Sequence, residues 1–253
     1  MDNLVIVTGA GSGIGAAVAR LLQTQGSQVV VYDLAPEPPD GHGFAGWISL
    51  DISDEPAVEA AIGQVERKLG PVRGLVNAAG VLGKMHEPAR LRMSDWDREI
   101  AVDLRGTYLT CRAVGSRMAA RGEGAIVNIA SVAGMSSGPL HGYGPAKAAV
   151  ISLTATLAGE WGPRGVRVNA VSPGFTRTQA LEKGLEAGVL DAEAMARPCA
   201  LRRLVEPDEI AAAVAFLLGP QASGITGINL PVDAGYLAGV TWAPYGGLRA
   251  SSD

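Results

Sequence analysis

Leu4-Val5-Ile6-Val7-Thr8-Gly9-Ala10-Gly11-Ser12-Gly13-Ile14-Gly15 decides how this chain folds. The apolar run Leu4–Val7 reads as a strand buried on both faces. The glycines after it let the backbone turn tightly into a stretch with helical spacing, Gly13–Gln25. At such a turn the helix offers free N–H groups and a positive dipole end, which suits a pyrophosphate. Set between a strand and a helix, Gly9, Ser12, Gly13, Ile14 and Gly15 therefore read as a dinucleotide-binding turn.

The second strand, Gln28–Tyr32, ends in Asp33, 18 residues after Gly15. A carboxylate there can accept both hydroxyls of an adenosine ribose and repels a 2′-phosphate. Neither Ser12 nor Leu34 is basic, so nothing nearby greets that phosphate. NAD is expected rather than NADP.

Further along, strand-like runs at Trp47–Leu50, Gly74–Val76, Ala125–Ile129, Val166–Val171 and Ile228–Val232 alternate with helix-length stretches. The latter lie near Glu55–Leu69, Ser94–Arg121, Gly144–Gly162 and Pro207–Leu218. Asp54-Glu55-Pro56 and Glu206-Pro207-Asp208 read as helix starts, with proline in the first turn and acids at the positive end. Repeated β-α-β units predict one α/β domain of Rossmann type: a doubly wound parallel sheet of about seven strands with helices on both faces. No boundary divides residues 1–253, and the Pro/Gly-rich loop Pro36–Gly46 is too short for a linker. Thr176–Ala200 breaks the rhythm and reads as a loosely helical insertion over one sheet edge, a lid on the substrate side. The tail Tyr236–Asp253 has no periodicity.

Composition removes several classes of function. Hydrophobic residues make up 47% and charged residues 18%, so a large core forms. A formal charge of −4, no Lys/Arg run and 5% aromatics leave no nucleic-acid surface. No apolar stretch reaches the roughly 18 residues of a membrane span, and the N-terminus lacks the pattern of a leader. Cys111 and Cys199 stand in no metal or redox spacing, so no metal site is expected and two thiols in a reducing cytoplasm are.

The chemistry is carried by Tyr143-Gly144-Pro145-Ala146-Lys147. Residues i and i+4 of a helix share a face, and a cation beside a tyrosine favours the phenolate, lowering its pKa. A phenol so tuned can trade a proton with a hydroxyl or a carbonyl. Pro145 falls in the first turn, where a missing N–H costs little.

Together with these stretches, Asp51, Asn77-Ala78-Ala79-Gly80, Ser131, Asn169, Pro173-Gly174, Ile225-Thr226-Gly227 and Val232-Asp233-Ala234-Gly235 resemble the short-chain dehydrogenase/reductase family, in order and over the whole chain. Ala234 stands where glycine is commoner. The resemblance implies hydride transfer between NAD and a secondary alcohol or ketone. Tyr143 would be the general acid/base, Lys147 would lower its pKa and bind the nicotinamide ribose, and Ser131 would polarise the reacting oxygen. Asp51 and Ile52 would lie by the adenine, and Asn77, Ala78, Ala79 and Gly80 would line the central groove. Pro173, Gly174, Thr176 and Thr178 would meet the nicotinamide.

One position departs from the family. Asp103 stands in Trp96–Gly106, where the family carries a catalytic asparagine that kinks the helix and holds a water linking the lysine to solvent. An ionised aspartate accepts but cannot donate, so Asp103 is either a member of the relay with an altered pH profile or a structural residue. His141, two residues before Tyr143, lines the pocket or faces solvent.

Two other readings stand beside the dehydrogenase: an epimerase or dehydratase that keeps NAD bound through turnover, and a catalytically silent NAD-binding protein. The family also implies a homotetramer or homodimer, through helices around Leu104–Arg121 and Gly144–Gly162. Met135, Leu140, Phe175, Leu181 and Met195 suggest a partly apolar substrate pocket.

Overall fold

The computed structural model describes residues 3–37, 43–83 and 85–249. Part of the Pro36–Gly46 loop, Lys84 in the expected pocket wall and the last four residues of the tail lie outside the described residues. Seven strands, β1 (Leu4–Thr8), β2 (Gln28–Asp33), β3 (Gly46–Ser49), β4 (Gly74–Asn77), β5 (Gly124–Ile129), β6 (Val166–Pro173) and β7 (Asn229–Val232), form one sheet. All pairs are parallel, in the order β3-β2-β1-β4-β5-β6-β7. Strand order reverses between β1 and β4, and that reversal opens a crevice at the carboxyl ends of the strands.

Period-two alternation sends each strand's side chains to opposite faces. Val5, Val7, Val29 and Val31 pack with α1 (Gly13–Thr24) and α8 (Pro207–Leu218). Leu4, Ile6, Val30, Tyr32 and Leu75 face α2 (Glu55–Leu69), α4 (Thr107–Arg121) and α5 (Tyr143–Trp161). Helices cover both faces, which is why the strands read as unbroken apolar runs.

Helix ends follow local chemistry. Asp54 caps α2 by accepting from the Ala57 N–H at 3.1 Å. The opening of α8 is a reciprocal capping box between Glu206 and Glu209. Arg167 of β6 reaches the other end of α8 and donates to the carbonyls of Leu217 (2.6 Å), Leu218 (3.0 Å) and Gly219 (3.2 Å).

Three expectations need correction. Ser94–Arg121 is not one helix: α3 (Met93–Glu99) passes through a π-helical turn, Ile100–Gly106, before α4 begins. Gly106 sits so close to Ile52 that a Cβ would lie 2.8 Å from its Cδ1. β7 starts at Asn229, and Ile228 is exposed while its N–H donates to Asn169 Oδ1 at 3.2 Å. The tail, without periodicity in the sequence, holds α9 (Tyr236–Gly239) and a 3₁₀ stretch Val240–Tyr245, while the loosely helical segment Thr176–Ala200 does hold two short helices, α6 (Gln179–Glu186) and α7 (Ala192–Ala196). Thr178 and Asp191 cap α6 and α7. Ala234 holds φ +50°, a left-handed conformation that explains glycine's fitness there.

Candidate active site

The crevice is a groove of 370 Å³, lined by Gly9, Ser12, Gly13, Ile14, Gly15, Asp33, Leu34, Asp51, Ile52, Ala78, Ala79, Gly80, Tyr143, Lys147 and Thr178. Gln179 and Ala180, which carried no motif, also line it. Its near wall is backbone. Gly9 has φ +68°, and a Cβ there would stand 2.5 Å from the Ala79 Cα. A Cβ on Gly15 would collide with the Gly9 carbonyl oxygen. Ser12, at the N-cap of α1, makes no side-chain hydrogen bond to the helix. Its first-turn amides and dipole are thereby left to the groove.

Asp33 stands at the rim, held by two backbone donors. Its Oδ2 accepts from the Gly11 N–H and its Oδ1 from the Ala35 N–H, each at 2.8 Å. Each oxygen keeps a further lone pair for a hydroxyl. Asp51 is exposed, and its Oδ1 takes the Ser53 N–H at 2.9 Å and the Ser53 hydroxyl at 2.7 Å, shaping the turn into α2. Close-packed glycine backbone, an uncapped helix end and a fixed rim carboxylate together fit a nicotinamide dinucleotide.

Asn77 serves the wall from behind. Its side chain is buried, donating to Asn128 Oδ1 at 2.9 Å and Cys111 Sγ at 3.1 Å, and accepting from Thr110 Oγ1 at 2.7 Å. Asn128 continues the network to Thr154 of α5 at 2.9 Å. Burial raises the Cys111 thiol to about 12, so it is an inert part of this brace; Cys199 is likewise a buried free thiol. Thr8 Oγ1 accepts from the N–H groups of Ala78 and Ala79, both at 3.1 Å, fastening the β4 exit to β1.

At the groove's inner end Tyr143 opens α5 and Lys147 follows one turn later. The Lys147 Nζ lies 5.4 Å from the Tyr143 ring centroid. It donates to the Ile129 carbonyl at 3.1 Å and stands 3.8 Å from Asp103 Oδ1. Asp103 is wholly buried in the π-helical turn. Its Oδ1 accepts from the Val81 N–H at 2.9 Å, while Oδ2 meets no partner among the described residues. Burial pushes this carboxyl above the usual carboxylate range, against the pull of Lys147 and the Val81 N–H.

Ser131 follows β5 by two residues, and its Oγ accepts from the Ala133 N–H at 3.1 Å, capping a 3₁₀ turn that packs on α5. Pro173, Gly174 and Thr176 lie beyond the groove lining. The Gly174 N–H donates to the Val232 carbonyl at 3.0 Å, and Thr176 Oγ1 donates to the Gly174 carbonyl at 2.9 Å. His141 is exposed.

Glu99 escaped the sequence reading. It is 5% exposed, and a Cβ on either Gly83 or Gly142 would overlap one of its carboxylate oxygens. Its signal was the spacing: Glu99 and Asp103 repeat the four-residue interval of Tyr143 and Lys147 on the helix alongside.

Comparison with known proteins agrees with this geometry. Residues 9–237 match a family model described as enoyl-(acyl carrier protein) reductase. D-threitol dehydrogenase of Mycolicibacterium smegmatis is 38% identical over 92% of each chain. Galactitol 2-dehydrogenase (L-tagatose-forming) of Cereibacter sphaeroides is 39% identical over 91% of this chain and 93% of its own. A crystal structure from Brucella melitensis 16M, described as ribose-5-phosphate isomerase, superposes with a TM-score of 0.93 at 52% identity, covering 98% of both chains.

Proposed function

Because the chain belongs to the short-chain dehydrogenase/reductase family, we propose that it interconverts a secondary alcohol, of polyol type, and its ketone with NAD as redox partner. The observation that carries this reading is the Tyr143–Lys147 pair at the inner end of a groove built for a dinucleotide. When bound, the nicotinamide supplies or accepts the hydride. Tyr143 takes the substrate hydroxyl proton in oxidation and returns one in reduction. The Lys147 ammonium stabilises the negative charge left on the phenol oxygen, and it also holds the nicotinamide ribose. Ser131 donates to the reacting oxygen. Asp103 anchors Lys147 from behind. Thr178 in the groove lining, with Pro173, Gly174 and Thr176 just beyond it, would hold the nicotinamide end, and Asn77 acts by bracing Ala78–Gly80.

Asp33 and the absence of a basic residue at Ser12 or Leu34 support NAD over NADP. The names of the threitol and galactitol relatives support a polyol. The segment Thr176–Ala200 is the lid over the substrate, and the active form is a cytoplasmic homotetramer or homodimer. Among the described residues no helix is long and apolar enough to cross a membrane.

The test is NADH formation from NAD and a panel of polyols and cyclic secondary alcohols. Tyr143→Phe should lower kcat by about 10²- to 10⁴-fold. A preference for NADP in kcat/KM would overturn the cofactor reading. The description attached to the Brucella structure calls for a second arm, ribose 5-phosphate without nicotinamide. Turnover there, with none on any alcohol, would overturn the dehydrogenase reading.

A further inference from the structure

The helix that carries Tyr143 begins without a cap of its own. Gly142, at its N-cap, has no side chain, and Pro145 has no N–H. The amides of Gly144 and Ala146 donate to the carbonyls of Leu140 (2.9 Å) and Gly142 (3.0 Å). The Tyr143 N–H is what remains of the first turn, at the positive end of a 19-residue helix. Glu99 fills that place from α3. Its carboxylate is wedged between Gly83 and Gly142 so closely that neither position has room for a side chain, and the N–H groups of Tyr143 and Gly83 favour its charged form. Four residues on, Asp103 faces Lys147, itself four residues after Tyr143. Two rungs thus join the helices, one to the backbone of Tyr143 and one to the ammonium of Lys147.

We propose that Glu99 is a positioning residue, clamping the backbone of Tyr143 to the Gly83 loop and setting a second negative charge beside the Asp103–Lys147 pair. This rests on the reading of Tyr143 as acid/base. Two N–H donors call for two acceptors, which a carboxylate supplies and an amide does not. Among the described residues, the charged and titratable groups around Glu99 are Asp95 and Asp103 on its own stretch of helix and Tyr143 and Lys147 on α5. Burial lifts the Glu99 carboxyl, and the two N–H groups oppose that lift.

Glu99→Gln and Glu99→Asp in the full chain test the clamp, with backbone amide exchange over residues 142–147 measured without cofactor. Both variants should lower kcat by about ten- to a hundredfold through misplacement of the phenol, leave KM for NAD unchanged, and speed exchange at the start of α5. Only Glu99→Gln removes the charge, so it alone should move the ionisation limiting kcat in oxidation to lower pH, and Glu99→Asp should restore the wild-type profile. Wild-type exchange together with a wild-type pH profile in Glu99→Gln, whatever its Tm, would overturn the proposal. If Glu99→Gln does not fold, Glu99→Asp carries the exchange and kcat arms. Normal turnover by Tyr143→Phe would instead sink the parent reading, while amide exchange would still judge the clamp.

Discussion

Asp103 concentrates the residue-scale energetics of the site. One oxygen is satisfied by the Val81 N–H, the other by no group among the described residues, and burial holds the carboxyl above its ordinary range. The unfolded carboxyl therefore loses its proton first, and between the two pKa values the folded state holds more protons. Stability then falls as pH rises through that window. Asp103→Asn removes the penalty, so calorimetry should find Tm raised at neutral pH. The gain should fade as pH drops below the usual carboxylate range, where aspartate is neutral in both states. A gain that persists there would refute the account. The same variant should change kcat and its pH dependence; unchanged values would remove Asp103 from the relay. Residues such as Gly9, Asp33 and Tyr143 were legible because each sits at a motif's fixed offset. Asn77 was legible as a position but not in orientation, since only the fold shows Asn128, Cys111 and Thr110 behind it.

At the scale of elements, caps decide the boundaries. Asp54-Glu55-Pro56 and Glu206-Pro207 mark the starts of α2 and α8 where the sequence predicts them. The far end of α8 depends on a residue about fifty positions earlier. Arg167 brings a cation and several donors to the last carbonyls of the helix, those of Leu217 and Leu218, and to that of Gly219 just past it. Arg167→Met should cost about 2 kcal/mol, read as a Tm loss of roughly 4–8 °C, with faster amide exchange at 215–219. An unchanged Tm would mean that solvent serves those carbonyls equally well. Long-range caps of this kind leave no local signature, and neither does the π-helical turn, since Ser94–Arg121 contains no proline and its apolar spacing stays helical.

For the whole molecule, the sheet was readable because its strands are buried on both faces, and short unbroken apolar runs between turn residues suit little else. The loosely helical segment Thr176–Ala200 holds α6 and α7, whose bounds were not legible because each is only one or two turns long, and the four-residue α9 in the tail is too short to carry a periodicity. The crevice between β1 and β4 links cofactor binding to global stability. NAD at about 100 times its Kd should add roughly 2.7 kcal/mol, or about 5–10 °C in Tm. NADP at the same concentration should shift Tm much less, given Asp33 at the rim. Equal shifts would show that the 2′ position is not read.

The π-helical turn at Ile100–Gly106 makes helix length a setting of phase. A turn closed one residue wide holds a surplus residue, as an insertion would. Deleting Ala101 would let α3 run into α4 as ordinary helix, turning α3 by about 100° and drawing it in by about 1.5 Å. Glu99 would then point away from Tyr143, although every side chain named in the site would still be present. Such a protein should fold, bind NAD with the same Tm shift, and turn over poorly: the chemistry is stored partly as a count of residues.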